Sequence, residues 1–129
     1  MSLIDDIKEI VSPFLNSIKE AFRAFMEKVK GIVKTIIAKI VEFKNQIVAW
    51  FKKHPLIKGK HVPFLTQRQE FKDMLKNAPK VKVEGLFEGI YDEQTDEITD
   101  LQYIEADELD QETKEKLAFG GEEQLVVLC

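Results

Sequence analysis

The residues that could perform acid–base or metal chemistry in this chain are few. His54 and His61 are its two imidazoles, and they stand seven positions apart across a proline and a glycine. Neither has a cysteine or a sequence-adjacent carboxylate that would complete a metal site or a catalytic set. This spacing predicts two loop histidines rather than metal ligands or catalytic bases.

A run of carboxylates is the second candidate for chemistry. Residues 84–112 contain twelve acidic side chains and no basic one, which suggests a calcium site. An EF-hand loop beginning at Asp92 would need glycine at its sixth position and glutamate at its twelfth, where Glu97 and Tyr103 stand. The spacing therefore argues against such a loop. Two uses remain for the run: a solvated sheet face, or a surface that docks onto the lysines of a neighbouring chain.

Nucleophilic and phosphate-binding motifs are not found in the sequence. Ser12 and Ser17 have no nucleophile elbow around them, and no glycine-rich phosphate loop occurs. The single cysteine, Cys129, cannot form a disulfide within the chain and is interpreted as a free thiol. We therefore predict a non-enzymatic protein with no catalytic residue, metal or cofactor.

An apolar stripe dominates the N-terminal part of the chain. It runs from Ile7 to Ile47 in eleven steps over forty residues, or about 3.64 residues per step against 3.6 for an α-helix. Ser12 and Pro13 are a typical helix start, while Gly31 could kink the helix but leaves no room for a reversal of the chain. The stripe predicts one helix over 13–53, about 62 Å long.

The rest of the chain predicts a small acidic head. Thr66 and Gln69 form a capping box, and Asp107 or Asp110 can cap a later helix that Gly120 and Gly121 end. Gly85 and Gly89 indicate close packing of another backbone against a strand, such as the long helix. The predicted elements after the long helix are a helix over 66–77, strands over 81–91 and 98–105 joined by a hairpin across 92–97, the later helix, and a buried strand over 125–128.

These elements define the predicted fold class and domain boundaries. The class is α+β: a long N-terminal amphipathic helix, then a head of two short helices and a three-stranded, mainly antiparallel sheet, in the order α-α-β-β-α-β. The predicted divisions are a basic helix over 1–54 with kinks at Pro13 and Gly31, a linker over 55–65, and an acidic α+β head over 66–129.

The length of the predicted helix leads to the first functional hypothesis. A helix of about 62 Å outruns a 129-residue globule, whose radius of gyration is about 14 Å. The head cannot cover the whole stripe, and large exposed apolar patches mark interfaces. We therefore predict an assembly or adaptor protein whose helix bundles with its own copies or with a partner's helix. The predicted interface residues are Phe14, Ile18, Phe22, Phe25, Val29, Ile32, Ile36, Ile40, Phe43 and Ile47.

The charge distribution leads to a second hypothesis. Residues 1–60 carry a net charge of +6 and residues 61–129 a net charge of −10, which together give −4. A lysine-rich amphipathic helix is typical of a peripheral membrane protein that binds or remodels an anionic membrane surface. The predicted membrane contacts are Lys28, Lys30, Lys34, Lys39, Lys44, Trp50, Phe51, Lys52 and Lys53.

Two further expectations follow from composition. No stretch approaches 18 uncharged residues and no apolar signal core follows Met1, so the expected location is the cytoplasm, or the membrane surface under the second hypothesis. Nucleic acid is not an expected partner, because the chain is acidic overall and its basic segment is strongly apolar on its other side.

Overall fold

The chain folds around one mixed β-sheet with helices on both of its faces. The computed structural model describes residues 7–8, 12–76, 84–118 and 125–128, without the side chains of residues 7–8 and 12–14. In chain order the elements are β1 (Ile7–Lys8), α1 (Ser12–Lys28), β2 (Lys34–Val41), a π-helical segment (Phe43–Val48) continuing as α2 (Ala49–Lys52), β3 (His61–Thr66), α3 (Gln69–Lys72), β4 (Glu84–Asp92), β5 (Glu97–Leu109), α4 (Gln111–Ala118) and β6 (Leu125–Leu128). The π-helical segment and α2 are together called the 43–52 helix.

The sheet has the strand order β1-β6-β3-β4-β5-β2. Neighbouring strands are antiparallel except β2 and β5, which are parallel. The α+β class is therefore confirmed, but the three-stranded sheet was wrong: β2 to β6 form a five-stranded mixed sheet, which the two-residue β1 extends at one edge. The long helix and the helical bundle do not fit this architecture either.

The predicted helix over 13–53 fails at Lys30 and Gly31, where the chain reverses. Both residues adopt left-handed backbone conformations, with φ of 58° and 75°. The Gly31 amide donates to Met26 O at 2.8 Å and the Lys30 amide donates to Glu27 O at 3.3 Å, which is the Schellman pattern of a helix C-terminus. The prediction that no reversal fits here was wrong because two left-handed residues turn the chain without a longer loop.

The residues after this turn form a strand because their side chains favour one. Six of the nine residues over 33–41 are β-branched, and β-branched side chains lose rotamer freedom in a helix but pack well on a pleated sheet. The register of β2 on β5 runs from Lys34 opposite Gln102 to Val41 opposite Leu109. Residues 34–41 thus join the same sheet as the acidic half of the chain, across the boundaries predicted at 54 and 65.

Alternate side chains of β4 pack into two separate apolar layers, one on each face of the sheet. Phe87 and Tyr91 belong to one layer with α1, whose Ile18 and Phe22 are fully buried there. Leu86 and Ile90 belong to the other layer, where the 43–52 helix contributes its buried residues Phe43, Ile47 and Phe51. The sheet is therefore covered by α1 on one face and by the 43–52 helix on the other.

The C-terminal half follows the sequence more closely. β4 and β5 form the predicted antiparallel hairpin, and β6 occupies the predicted 125–128. The helix predicted over 66–77 is shorter, with α3 spanning Gln69–Lys72, and the glycine pair proposed to end the later helix lies outside the described residues. Gly85 and Gly89 approach the side chains of Tyr103 and Phe64 rather than a helix. Within the described ranges, no helix is long and apolar enough to cross a membrane.

Candidate functional site

His54 lies in the loop after the 43–52 helix, and His61 is the first residue of β3. Both side chains hydrogen-bond to backbone groups close to them in sequence. His54 Nδ1 bonds Trp50 O at 2.8 Å, and its Nε2 lies 3.5 Å from Asp100 Oδ1. His61 Nδ1 accepts a hydrogen bond from the Ile57 amide at 2.9 Å. Among the residues that the structure describes, no three His, Cys, Asp or Glu side chains are placed to hold a metal ion. The histidines therefore fix the segments around them.

Glu88 is the most unusual ionisable group described. Its side chain is fully buried in the layer under the 43–52 helix, and Gln102 Nε2 donates a hydrogen bond to its Oε1. Burial raises the pKa of Glu88 well above its ordinary value, although the bond from Gln102 opposes the shift. Glu88 Oε2 and Gln102 Oε1 have no hydrogen-bond partner among the described residues. Both side chains are buried, so the pair belongs to the core of the described fold.

A surface groove lies between the end of α1 and the segment after α3. Its volume is about 520 Å³, and Met26, Met74, Arg23 and Lys76 are among the side chains that line it. Arg23 already pairs with Glu20 at 3.2 Å. Its described lining includes one carboxylate, Glu27, but no histidine, serine or cysteine. The described lining of this groove therefore shows no pair of a nucleophile and a base.

The predicted interface residues separate into three groups in the fold. Ile18, Phe22, Phe43 and Ile47 are buried, and Phe25, Val29 and Ile36 are half-buried against the two apolar layers. Ile32 and Ile40 are exposed, and the side chain of Phe14 lies outside the described residues. Of the exposed members, Ile40 lies near the end of β2, whereas Ile32 lies in the turn before this strand.

The predicted membrane-contact residues do not share one face. Phe51 is fully buried and Trp50 is half-buried, with its ring against Phe51 and His54. The lysines of this group are exposed on three different elements or the turns after them: Lys28, Lys30, Lys34, Lys39, Lys44, Lys52 and Lys53. The apolar side of the 43–52 helix packs on the sheet of its own chain.

Residues 32–40, which include most of β2, contain more exposed large apolar residues than any other described segment of this length. The side chains of Ile32, Ile37 and Ile40 are 61%, 58% and 38% exposed, and Ile57 is the fourth exposed large apolar residue among those described. Three of the four therefore fall within nine consecutive residues. β2 pairs with β5 on one side, and no described strand lies on its other side. An exposed apolar edge of this kind is a site for pairing with another strand.

The apolar side chains of β2 lie on both faces of the sheet. Ile36 packs against the layer under the 43–52 helix. Ile37 is the next residue and stands in register with Glu105, so it lies on the opposite face. A partner that docked on one face would cover only one of these side chains. A strand added beside β2 would flank both.

Charged residues frame this edge. Lys34 and Lys39 are exposed on β2, and the exposed Glu42 follows the strand directly. Glu42 Oε2 accepts a hydrogen bond from Asn45 Nδ2 at 3.2 Å. The edge thus carries positive charge at its start and middle and negative charge at its end.

Ile37 and Ala38 are residues of this surface that the predicted interface omits. A helical period places Ile37 beside the stripe rather than on it. The run of β-branched residues over 33–41 is the signal that identifies both as strand residues.

Comparisons with protein families, with curated proteins and with solved structures find no match to this chain. The geometry of its own residues therefore carries the functional inference.

Proposed function

We propose that this protein is a non-enzymatic assembly protein that self-associates by pairing the open edge of β2 with another strand. The observation that carries the proposal is the exposure of two isoleucines of β2, Ile37 and Ile40, together with Ile32 in the turn before the strand. A pairing strand would satisfy the outward backbone groups of β2 and flank its isoleucines on both faces. Among the described side chains, no other strand has two exposed isoleucines beside an unpaired edge.

The membrane hypothesis has less support from the described geometry. A helix that lies in a membrane interface needs an apolar face directed at lipid. Phe43, Ile47 and Phe51 of the 43–52 helix are buried against the sheet of their own chain instead. Exposed lysines alone give a salt-sensitive attraction to any anionic surface.

The first test is the solution mass of a double variant, Ile37→Lys with Ile40→Lys. We expect the wild-type chain to have a mass above the 14.9 kDa of one copy, and the double variant to have the mass of one copy. Two lysines at this edge would place like charges in the interface and remove its apolar contacts. Light scattering after size exclusion gives both masses.

Ile57→Lys is the matched control, because Ile57 is 54% exposed but lies outside β2. It should leave the mass unchanged. A single-copy mass for the wild-type chain, or an unchanged mass in the double variant, would overturn the proposed function.

A further inference from the structure

We propose that the strand paired with β2 is β2 of a second copy, antiparallel to the first, with the twofold axis passing at Ala38. This inference rests on the proposed function and specifies its partner, direction and register. The two five-stranded sheets would become one continuous sheet across the axis.

The charges of the edge decide the direction. A parallel pairing in equal register would put Lys34 beside Lys34 and Lys39 beside Lys39 of the other copy. Like charges directly opposite each other destabilise a sheet. An antiparallel pairing brings the start of one strand, at Lys34, to the end of the other, at Glu42.

The register follows from which residues can stand opposite each other. Residues that stand opposite each other in antiparallel strands lie on the same face of the sheet, and faces alternate along each strand. In two identical strands, opposite residues must therefore be an even number of positions apart, so the twofold axis passes at a residue and not between two residues. With the axis at Ala38, Lys34 stands opposite Glu42, Ile36 opposite Ile40, and Ile37 opposite Lys39. The first pair joins opposite charges, the second joins two isoleucines, and in the third the lysine stem can cover the isoleucine. An axis at Ile37 would instead oppose Lys34 to Ile40 and lose the charge pair.

The small side chain at the centre is compatible with this axis. Ala38 would stand opposite Ala38 of the second copy, where two larger side chains would clash across the axis. It also stands in register with Ala106 of β5, so that a row of small residues crosses the sheet at this point. The central position is therefore the least crowded part of the edge.

Pairing through β2 limits the assembly to two copies. A twofold contact uses the same edge, β2, of both copies. Neither copy then has a β2 edge left to pair, so the assembly closes as a dimer.

The test is cysteine cross-linking at the axis in the full chain. Ala38→Cys would be combined with Cys129→Ser, and the protein would be oxidised with diamide. Opposite residues of antiparallel strands have Cα atoms about 4.5 to 5.5 Å apart, within the range of about 4.4 to 6.8 Å that a disulfide bridges. We expect most of this variant to run as a covalent dimer.

Ile37→Cys in the same background is the matched control. Under the proposed register, the two positions 37 lie diagonally across the axis, about 7 to 8 Å apart, so cross-linking should be much weaker. Faster cross-linking at 37 than at 38 would overturn the register while leaving self-association through β2 intact. A ladder above the dimer would overturn closure. Light scattering of both variants before oxidation separates these results from the failure of association itself.

A charge exchange provides a second, reversible test. Lys34→Glu and Glu42→Lys should each weaken dimerisation roughly 2- to 30-fold, because each change affects two charge pairs per dimer. The double exchange should recover most of the loss. Glu42→Gln separates the charge from the local bond, because a glutamine oxygen still accepts from Asn45. Absence of recovery in the double exchange would contradict the pairing of positions 34 and 42.

Discussion

The buried side chains of Glu88 and Gln102 can satisfy each other's hydrogen-bonding groups when Glu88 is protonated. Gln102 Nε2 donates to one carboxyl oxygen of Glu88, while Glu88 Oε2 and Gln102 Oε1 have no other described partner. A protonated Glu88 carries one O–H donor, and Gln102 Oε1 is an acceptor. The raised pKa of Glu88, caused by its burial, favours this protonated form.

This pair predicts an unusual pH dependence of stability. Because the folded pKa of Glu88 is raised, the folded state holds one more proton than the unfolded state between the ordinary pKa of 4.5 and the raised folded pKa. Its contribution is present below that value and is lost as pH rises through the folded pKa, at about 1.4 kcal/mol per pH unit. Glu88→Gln keeps both hydrogen bonds without a titrating proton. It should flatten this slope and stabilise the chain by about 1 to 3 kcal/mol near neutral pH.

Denaturant unfolding from pH 5 to pH 8 measures this slope. Glu97→Gln is the control, because Glu97 is an exposed residue on the same hairpin. It should keep the wild-type slope. A wild-type slope in Glu88→Gln would show that this carboxyl does not retain its proton on folding.

At the level of elements, the reversal between α1 and β2 depends on Gly31. Its φ of 75° lies in the left-handed region, and an added Cβ would lie 2.7 Å from Met74 O. The Gly31 carbonyl also accepts a hydrogen bond from the Lys76 amide at 2.9 Å, which fixes the turn against the segment after α3. Backbone strain and a backbone contact therefore act at the same residue.

Gly31→Ala should cost more stability than Gly59→Ala. Gly59 also has a positive φ, of 83°, but an added Cβ there would meet nothing within 4 Å. Its substitution should cost about 1 to 2 kcal/mol through backbone strain alone. The Gly31 variant should lose at least about 1 kcal/mol more, because Met74 O must also move. Equal free energies of unfolding for the two variants would mean that the contact relaxes freely.

The elements that the sequence predicts best are those with local signals. The β4–β5 hairpin has turn residues between two apolar runs, and β6 is a short apolar run. β2 has a misleading signal, because Ile32, Ile36 and Ile40 are four residues apart. A spacing of four places side chains on nearly one side of a helix but also on one side of a regular strand, since four is a multiple of two. Periodicity alone could not separate these alternatives, whereas the β-branched composition could.

The candidate surface could be predicted only in part, for a related reason. Ile32 and Ile40 belong to the predicted interface and are exposed, Ile40 on β2 and Ile32 in the turn before it. Which strand stands beside β2 depends on a parallel pairing with β5, for which the local sequence has no turn signal. The burial of Phe22 and Phe51 follows from the same long-range arrangement. Exposure is a property of the assembled sheet and not of a local pattern.

At the scale of the whole molecule, a dimer through β2 would couple unfolding to dissociation. The melting temperature of the wild-type chain should then rise by roughly 2 to 3 °C for each tenfold increase in protein concentration. The Ile37→Lys, Ile40→Lys double variant should melt at one temperature at all concentrations. Thermal scans followed by circular dichroism make the comparison. A wild-type melting temperature independent of concentration would mean that the folded copies do not unfold as a dimer.

The parallel pairing of β2 with β5 also has a consequence for synthesis of the chain. Each residue of β2 pairs with a residue about 68 positions later, such as Val41 with Leu109. At about 5 to 20 residues per second, a ribosome needs roughly 3 to 14 seconds to make that intervening length. During this interval β2 has been made but its partner has not, so its isoleucines are open to other nascent chains. The protein is therefore most exposed to misassembly while it is being translated, before the sheet that holds β2 exists.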